Sequence, residues 1–255
     1  MLKRFVLAVL LLLAAGRVAA TVDYTDIWYI PAEAGWGVNV VQSDNFQFIT
    51  FFIYGADGKP TWFTGQVTQD ASGNFNGTLY STTGTYYILP WAGFAGGAAG
   101  TVSFQPLTPS TARLIYTVNG VGMVTKVIQR QTLTGITIGG VYAGGQSGNY
   151  SGCSTGTSNG PYKDFFDLSL TQLTNQSVTF SFVYTNVSCT FSGTLVQTGQ
   201  LYSVPNAAYS CNDGLNTTAT MTEIKATAQG VEGRFSAPSV GGNCREDARF
   251  SGVLN

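Results

Sequence analysis

The candidate nucleophiles and acids of this chain lack the partner that most often activates them, because its 255 residues include no histidine. That excludes Ser-His-Asp and Cys-His machinery and any His-ligated zinc or copper centre. A Ser-x-x-Lys dyad is absent too: Ala56, Met123, Gly160 and Thr222 stand three residues before Lys59, Lys126, Lys163 and Lys225. Gly-x-Ser-x-Gly occurs twice, at residues 152–156 around Ser154 and 156–160 around Ser158, in a Gly/Ser-rich stretch with no strand-to-helix signal. The Gly58-Lys59 pair runs into Pro60 and reads as a turn, not a phosphate loop. Carboxylates remain. Glu33 with Asp26 or Asp57 is the pair that could run glycoside hydrolysis, which needs about 5–9.5 Å between the groups. The plainer role for Glu33 is a hydrogen bond that fixes the neighbouring Gly-Trp-Gly turn. No catalytic residue is assigned. The acidic pairs Asp164/Asp167 and Glu246/Asp247 lack calcium-loop spacing, so no metal and no cofactor are expected.

Aromatic residues offer a different chemistry. All four tryptophans fall between positions 28 and 91, and the densest text is Asp26-Ile27-Trp28-Tyr29-Ile30-Pro31-Ala32-Glu33-Ala34-Gly35-Trp36-Gly37. An aromatic run from Phe46 to Tyr54 follows, then Asp57-Gly58-Lys59-Pro60-Thr61-Trp62. Flat rings beside a few polar groups suit a sugar or an apolar ligand, which makes Trp28, Tyr29, Glu33, Trp36, Tyr54 and Trp62 the candidate binding set. The competing assignment puts Trp28, Trp36 and Trp62 in the core of the first domain.

Strands must position these residues. Helical periodicity is nearly absent, whereas Val178, Phe180, Phe182 and Tyr184 alternate with Thr179, Ser181, Val183 and Thr185, and similar runs recur about every ten residues. The expected fold is all-β: two consecutive antiparallel meanders, each a small closed or nearly closed barrel, with a single large sandwich as the alternative. The domains are set at 21–131 (Trp-rich) and 161–255 (disulfide-containing, first strand about 139–143), with a linker and Gly-rich loop over 132–160. The run Phe46–Tyr54 is apolar on both faces and is expected to be covered on both sides. Asn119-Gly120 predicts a two-residue hairpin that sets Val118 opposite Val121 and Tyr116 opposite Met123. In a closed meander Trp28 and Arg130 become neighbours and form a cation–π pair. Tyr142 and Arg249 hold similar places in the second half.

Residues 1–20 read as a secretory signal peptide, with Lys3 and Arg4, an apolar run Phe5–Ala15 and the cleavage text Val18-Ala19-Ala20. The run is too short to span a bilayer. From Thr21 onward nine basic residues face thirteen acidic ones, a net charge of −4 with no basic stripe, which argues against nucleic acid. Cys153, Cys189, Cys211 and Cys244 read as two disulfides in an oxidising compartment. Cys189–Cys211 is preferred because the two flank the turn Gln197–Gln200 nearly symmetrically, which leaves Cys153–Cys244. A secreted or periplasmic address follows. An outer-membrane barrel is disfavoured by short strands and by a C-terminus without an aromatic residue.

The motif Pro31-x-Glu33-x-Gly35-Trp36-Gly37, the Tyr54-x-x-Asp57-Gly58-Lys59-Pro60 turn and Trp62 together resemble a family of uncharacterised bacterial secreted proteins. Downstream text, Gly77-Thr78-Leu79-Tyr80 and Tyr116-Thr117-Val118-Asn119-Gly120, extends the resemblance over about residues 25–131, with Ala34 where the family pattern has Ser. The second half is a looser match, around Cys189–Thr194, to a domain sometimes attached to such proteins. The Trp-first, Arg-last arrangement also resembles lipocalin and avidin-like barrels. The resemblance implies export and brings no activity. The functional expectation is an exported, non-catalytic protein that binds a small ligand, glycan or surface partner through its Trp-rich domain. The alternatives are a structural envelope component and a carboxylate glycosidase.

Overall fold

The computed structural model describes residues 22–133, 135–174, 176–227 and 229–255; the expected signal peptide lies outside the described residues. The fold is all-β and comprises two barrels in succession. In the first, β1 (Asp26–Tyr29), β2 (Gly37–Ser43), β3 (Phe46–Tyr54), β4 (Pro60–Gln69), β5 (Phe75–Gly84), β6 (Phe94–Thr108), β7 (Thr111–Val118) and β8 (Gly122–Arg130) pair in chain order and close β8 onto β1. Every pairing is antiparallel, as short connections between consecutive strands require. The closing seam is short, with two rungs, Trp28 opposite Arg130 and Tyr29 opposite Gln129.

Alternation sorts side chains to the two faces. Trp28, Val38, Val40, Ile49, Phe51, Phe75, Leu79, Phe104 and Leu114 point inward and are fully buried. The interior is therefore packed and apolar, the inverse of the polar lumen of a membrane-spanning barrel. On β3 the inward residues are Gln47, Ile49 and Phe51, whereas Phe46, Phe48, Phe52 and Tyr54 face outward and are exposed. This corrects the expectation that both faces of this strand are covered. The β7–β8 turn is also corrected: Val118 pairs with Gly122 and Thr117 with Met123, so three residues close the loop. Gly120 and Gly122 both take positive φ there. The one-residue slip sends Met123 outward, 71% exposed, in place of an inward position beside Tyr116.

The second barrel contains β9 (Gly140–Ser151), β10 (Gly160–Gln172), β11 (Ser177–Val183), β12 (Ser188–Thr194), β13 (Val196–Thr198), β14 (Leu201–Cys211), β15 (Asn216–Ala226), β16 (Gly230–Pro238) and β17 (Arg245–Leu254). The β12–β14 and β17–β9 pairings complete a ring of eight strands, and short β13 continues β12 along the edge of β14. Phe166, Phe180, Phe182, Phe191, Phe235 and Phe250 fill its centre in mostly edge-to-face contacts. Cys189 and Cys211 are directly opposed on β12 and β14 and are bonded, and Cys153–Cys244 ties the β9–β10 connection to the start of β17. The Gly-rich stretch from 144 to 160, expected as a loop, divides: 144–151 belong to β9, and 152–159 form the loop pinned by Cys153. The strand glycines serve close packing: a Cβ on Gly144 would stand 2.0 Å from the Ser251 carbonyl oxygen. The echo of Trp28 and Arg130 fails here. Tyr142 pairs with Leu254 and Arg249 with Ser147, and Arg249 instead shares Glu223 with Arg234.

The barrels meet through the turn Thr198–Leu201. Gln200 N–H donates to Asp26 Oδ2 at 3.0 Å, Gly199 N–H donates to Thr132 Oγ1, and Lys225 pairs with Asp23. A Cβ on Gly199 (φ +64°) would stand 2.4 Å from Arg130 Cβ, so this contact needs glycine. The end of the first barrel that carries the β1–β2, β3–β4, β5–β6 and β7–β8 connections lies opposite this junction.

Candidate functional site

The site is built at that distal rim. Gly35, at φ +107°, turns the β1–β2 loop so that Trp36 folds back against the interior packing. Trp36 Nε1–H donates to Glu33 Oε2 at 2.9 Å. Lys126, on the inward face of β8, donates to the same oxygen and sits 5.0 Å from the Trp36 ring centroid. Tyr54 OH donates to the Gly35 carbonyl at 2.9 Å. These contacts make a lid over the barrel mouth. The lysine ammonium, then the indole N–H, hold the Glu33 carboxyl below its usual range. An ionised carboxylate bonded this way is a poor proton donor, so Glu33 does not suit the acid role of a carboxylate pair.

The structure divides the sequence-derived set. Glu33, Trp36 and Tyr54 come together in the lid. Trp62 lies one strand over, 51% exposed and directly opposite Phe52, itself 58% exposed. With Tyr54 they form an outward aromatic face on β3 and β4, flanked on the next outward rung by Thr50 opposite Thr64. Tyr29 is half-buried on β1. Trp28 does not belong to the set: it is fully buried, its Nε1–H bonded to the Tyr24 carbonyl at 3.0 Å and its ring covered by Arg130.

Two features escaped sequence reasoning. The β5–β6 connection carries Tyr86, Tyr87, Ile88, Leu89 and Trp91, and β6 opens on Phe94, all more than half exposed. Its signal was present in the tryptophan count, but Trp91 stands outside the Gly-Trp-Gly motif. The second barrel holds Glu246 almost wholly buried, 4% exposed, where it accepts hydrogen bonds from Tyr162 OH and Gln146 Nε2. Tyr184 OH donates to Gln146 Oε1. Burial raises the Glu246 carboxyl, opposed by the Tyr162 hydrogen bond. The same burial, with the nearby carboxylate, pushes Tyr150 up to about 12. Glu246 reads in sequence as a solvated surface acid beside Asp247; only its parity on β17 sends it inward. A cavity of about 450 Å³ also opens at the barrel junction, lined among others by Asp23, Lys163, Glu223, Arg234 and Arg249.

Fold and site define a two-barrel, all-β protein with filled interiors and an outward aromatic face, whose two disulfides fit an oxidising, extracytoplasmic compartment. No family model and no curated protein matches the sequence. Among solved structures, a crystal structure of a Bacteroides fragilis NCTC 9343 protein provisionally assigned as an outer membrane protein matches at 13% identity and a TM-score of 0.31, covering 89% of this chain and 94% of that chain.

Proposed function

We propose that the protein is an exported, non-catalytic binding module whose first barrel docks a glycan chain on the outward face of β3 and β4. The observation that carries this reading is the exposed cross-strand pair Phe52–Trp62 with Tyr54 beside it. Aromatic rings on a sheet face present flat apolar area at low entropic cost, and the Thr50 and Thr64 hydroxyls on the adjoining rung supply hydrogen bonds for sugar hydroxyls. A small ligand held inside the first barrel is disfavoured, because Phe51, Phe104 and Trp28 occupy that space. The resemblance of residues 25–131 to exported bacterial proteins agrees with this reading.

The test is titration of a soluble polysaccharide panel followed by tryptophan fluorescence. Phe52→Ser and Trp62→Ser should each weaken a binding polysaccharide at least about tenfold, as expected for loss of a central aromatic contact, with unchanged thermal unfolding. Equal affinity in both variants, or no binding across the panel, refutes the reading.

A further inference from the structure

The β5–β6 ladder continues past its neighbours. It runs on to Gly84 opposite Phe94, whereas the β4–β5 ladder stops at Tyr80 and the β6–β7 ladder at Gly100. Residues 94–99 therefore stand beyond the last β6–β7 rung, roughly 20 Å of strand at about 3.3 Å per residue. This two-stranded ribbon rises from the distal rim on a stem of small residues, Ala95-Gly96-Gly97-Ala98-Ala99. Its tip spans residues 85–93 and, with Phe94, exposes two tyrosines, Ile88, Leu89, Trp91 and a phenylalanine. Val121 and Met123, 82% and 71% exposed, form a shoulder on the adjoining turn. An apolar patch of this kind marks an interaction surface.

We propose that this tip inserts into the headgroup–acyl boundary of a lipid bilayer. Charge selects that occupant. The 42 residues from 71 to 112 contain no Asp, Glu, Lys or Arg, so the tip brings no ionised side chain for a bilayer to reject. The rim behind it is electrically balanced, with Lys126 on Glu33 and Lys59 on Asp57. Trp and Tyr are the residues that settle at the membrane interface. Part of the loop's backbone is satisfied internally, and the rest suits the headgroup boundary, where water remains, better than the hydrocarbon core. Leu89 N–H donates to the Tyr86 carbonyl at 2.9 Å, Ala92 N–H to Thr85 Oγ1 at 2.9 Å, and Thr85 N–H to the Gly93 carbonyl at 3.2 Å; Pro90 has no N–H to satisfy. A second copy is a poor occupant, since a tip of nine residues falls well short of the roughly 20–30 residues per side of a stable protein interface.

The experiment uses the chain purified from an export-competent host and phosphatidylcholine vesicles, in low and high salt. The expected results are co-sedimentation that salt does not weaken, and quenching of tryptophan fluorescence by bromine-labelled acyl chains. Tyr87→Ser/Trp91→Ser should reduce partitioning at least tenfold. Trp91→Phe should keep partitioning and lose most of the quenching. Phe52→Ser/Trp62→Ser should partition like the wild type, which separates this site from the glycan face. Failure to bind the vesicles overturns the proposal, as does equal partitioning of the tip variant with its circular dichroism unchanged. Lipid-free dimerisation that the tip variant abolishes would assign the tip to a second copy and overturn it equally.

Discussion

Arg130 is the test of how the first barrel is closed. The β1–β8 seam has two rungs, and the Arg130 guanidinium reinforces it from within. It donates to Asp26 Oδ2 and the Thr25 carbonyl at 3.1 Å each, to the Pro109 carbonyl at 2.8 Å and to the Asp23 carbonyl at 2.5 Å. It also lies 5.0 Å from the Trp28 ring centroid. Both members of the ion pair are 1% exposed, so solvent screening gives no discount. Arg130→Met leaves the Asp26 carboxylate buried without its cation, which costs about 3–5 kcal/mol. Loss of the cation–π contact adds on the order of 1 kcal/mol. All four tryptophans lie in this barrel, so urea unfolding followed by tryptophan fluorescence reports it alone. With a slope of about 2 kcal/mol/M, the midpoint should fall by roughly 2–3 M. Replacing both partners, Arg130→Met with Asp26→Leu, should recover part of that loss, because an apolar pair leaves no stranded charge. A midpoint within about 0.3 M of wild type for Arg130→Met would show that the seam does not depend on this residue.

Two further outcomes are specific to the second barrel and to the junction. The Glu246 carboxyl is raised above its unfolded value of 4.5, so the folded state holds its proton longer and stability falls as pH rises through 4.5 and on to the folded value. Glu246→Gln removes that dependence and keeps an acceptor for Tyr162; near-ultraviolet circular dichroism of the tyrosines should show a flatter pH profile and higher stability at neutral pH, and an unchanged profile would exclude burial as the cause. Gly199→Ala places a methyl group against Arg130 Cβ and Asp26 Oδ2 at positive φ, a penalty of about 1–2 kcal/mol. It should loosen the barrel junction, read as faster proteolysis between residues 131 and 139, with equal cleavage rates counting against the contact.

The Trp28–Arg130 contact was legible because it needs only two positions, one in the first strand and one in the last, and a closed meander brings those strands together whatever lies between. The disulfide partners were legible for a similar reason: Cys189 and Cys211 flank a turn nearly symmetrically, antiparallel pairing brings such residues close, and a one-residue shift of register between the Val196–Ser203 and Ser192–Ala208 rungs sets them directly opposite. Alternation misled where both faces are apolar. Phe46, Phe48, Phe52 and Tyr54 carry the same hydrophobic signal as Ile49 and Phe51, so period two gives the parity of the strand but not which parity is buried. Glycine misled in the opposite direction. Between 144 and 160 it reads as loop, yet Gly144 and Gly148 are small because neighbouring backbone and the Tyr162 ring press on them. The Asn119-Gly120 turn failed by a single residue, which was enough to reverse the faces of Val121 and Met123. In the candidate site, Glu33 and Trp36 were legible from their shared motif, whereas Lys126 arrives from 93 residues away and has no local signal.

The two barrels solve one problem in the same way and then diverge. Each begins with an aromatic residue whose polar atom donates to the carbonyl four residues earlier: Trp28 Nε1–H to Tyr24, and Tyr142 OH to Ile138. In each case the bond pins the incoming segment across the barrel floor, which keeps solvent from the first rung of the core. Among the described residues the fully buried ion pair appears in the first barrel, at the junction, where Asp26 also accepts the Gln200 N–H from its neighbour. Closure of the first barrel and docking of the second therefore share one carboxylate. That arrangement fixes the proximal end and leaves the distal rim, with its lid, its aromatic face and its uncharged ribbon, as the end free to meet a partner. The second barrel has its buried carboxyl at its own far end, held by tyrosines and a glutamine and by no cation among the described contacts. Charge is thus spent on assembly at the centre of the molecule, and aromatic surface is what the first barrel presents outward.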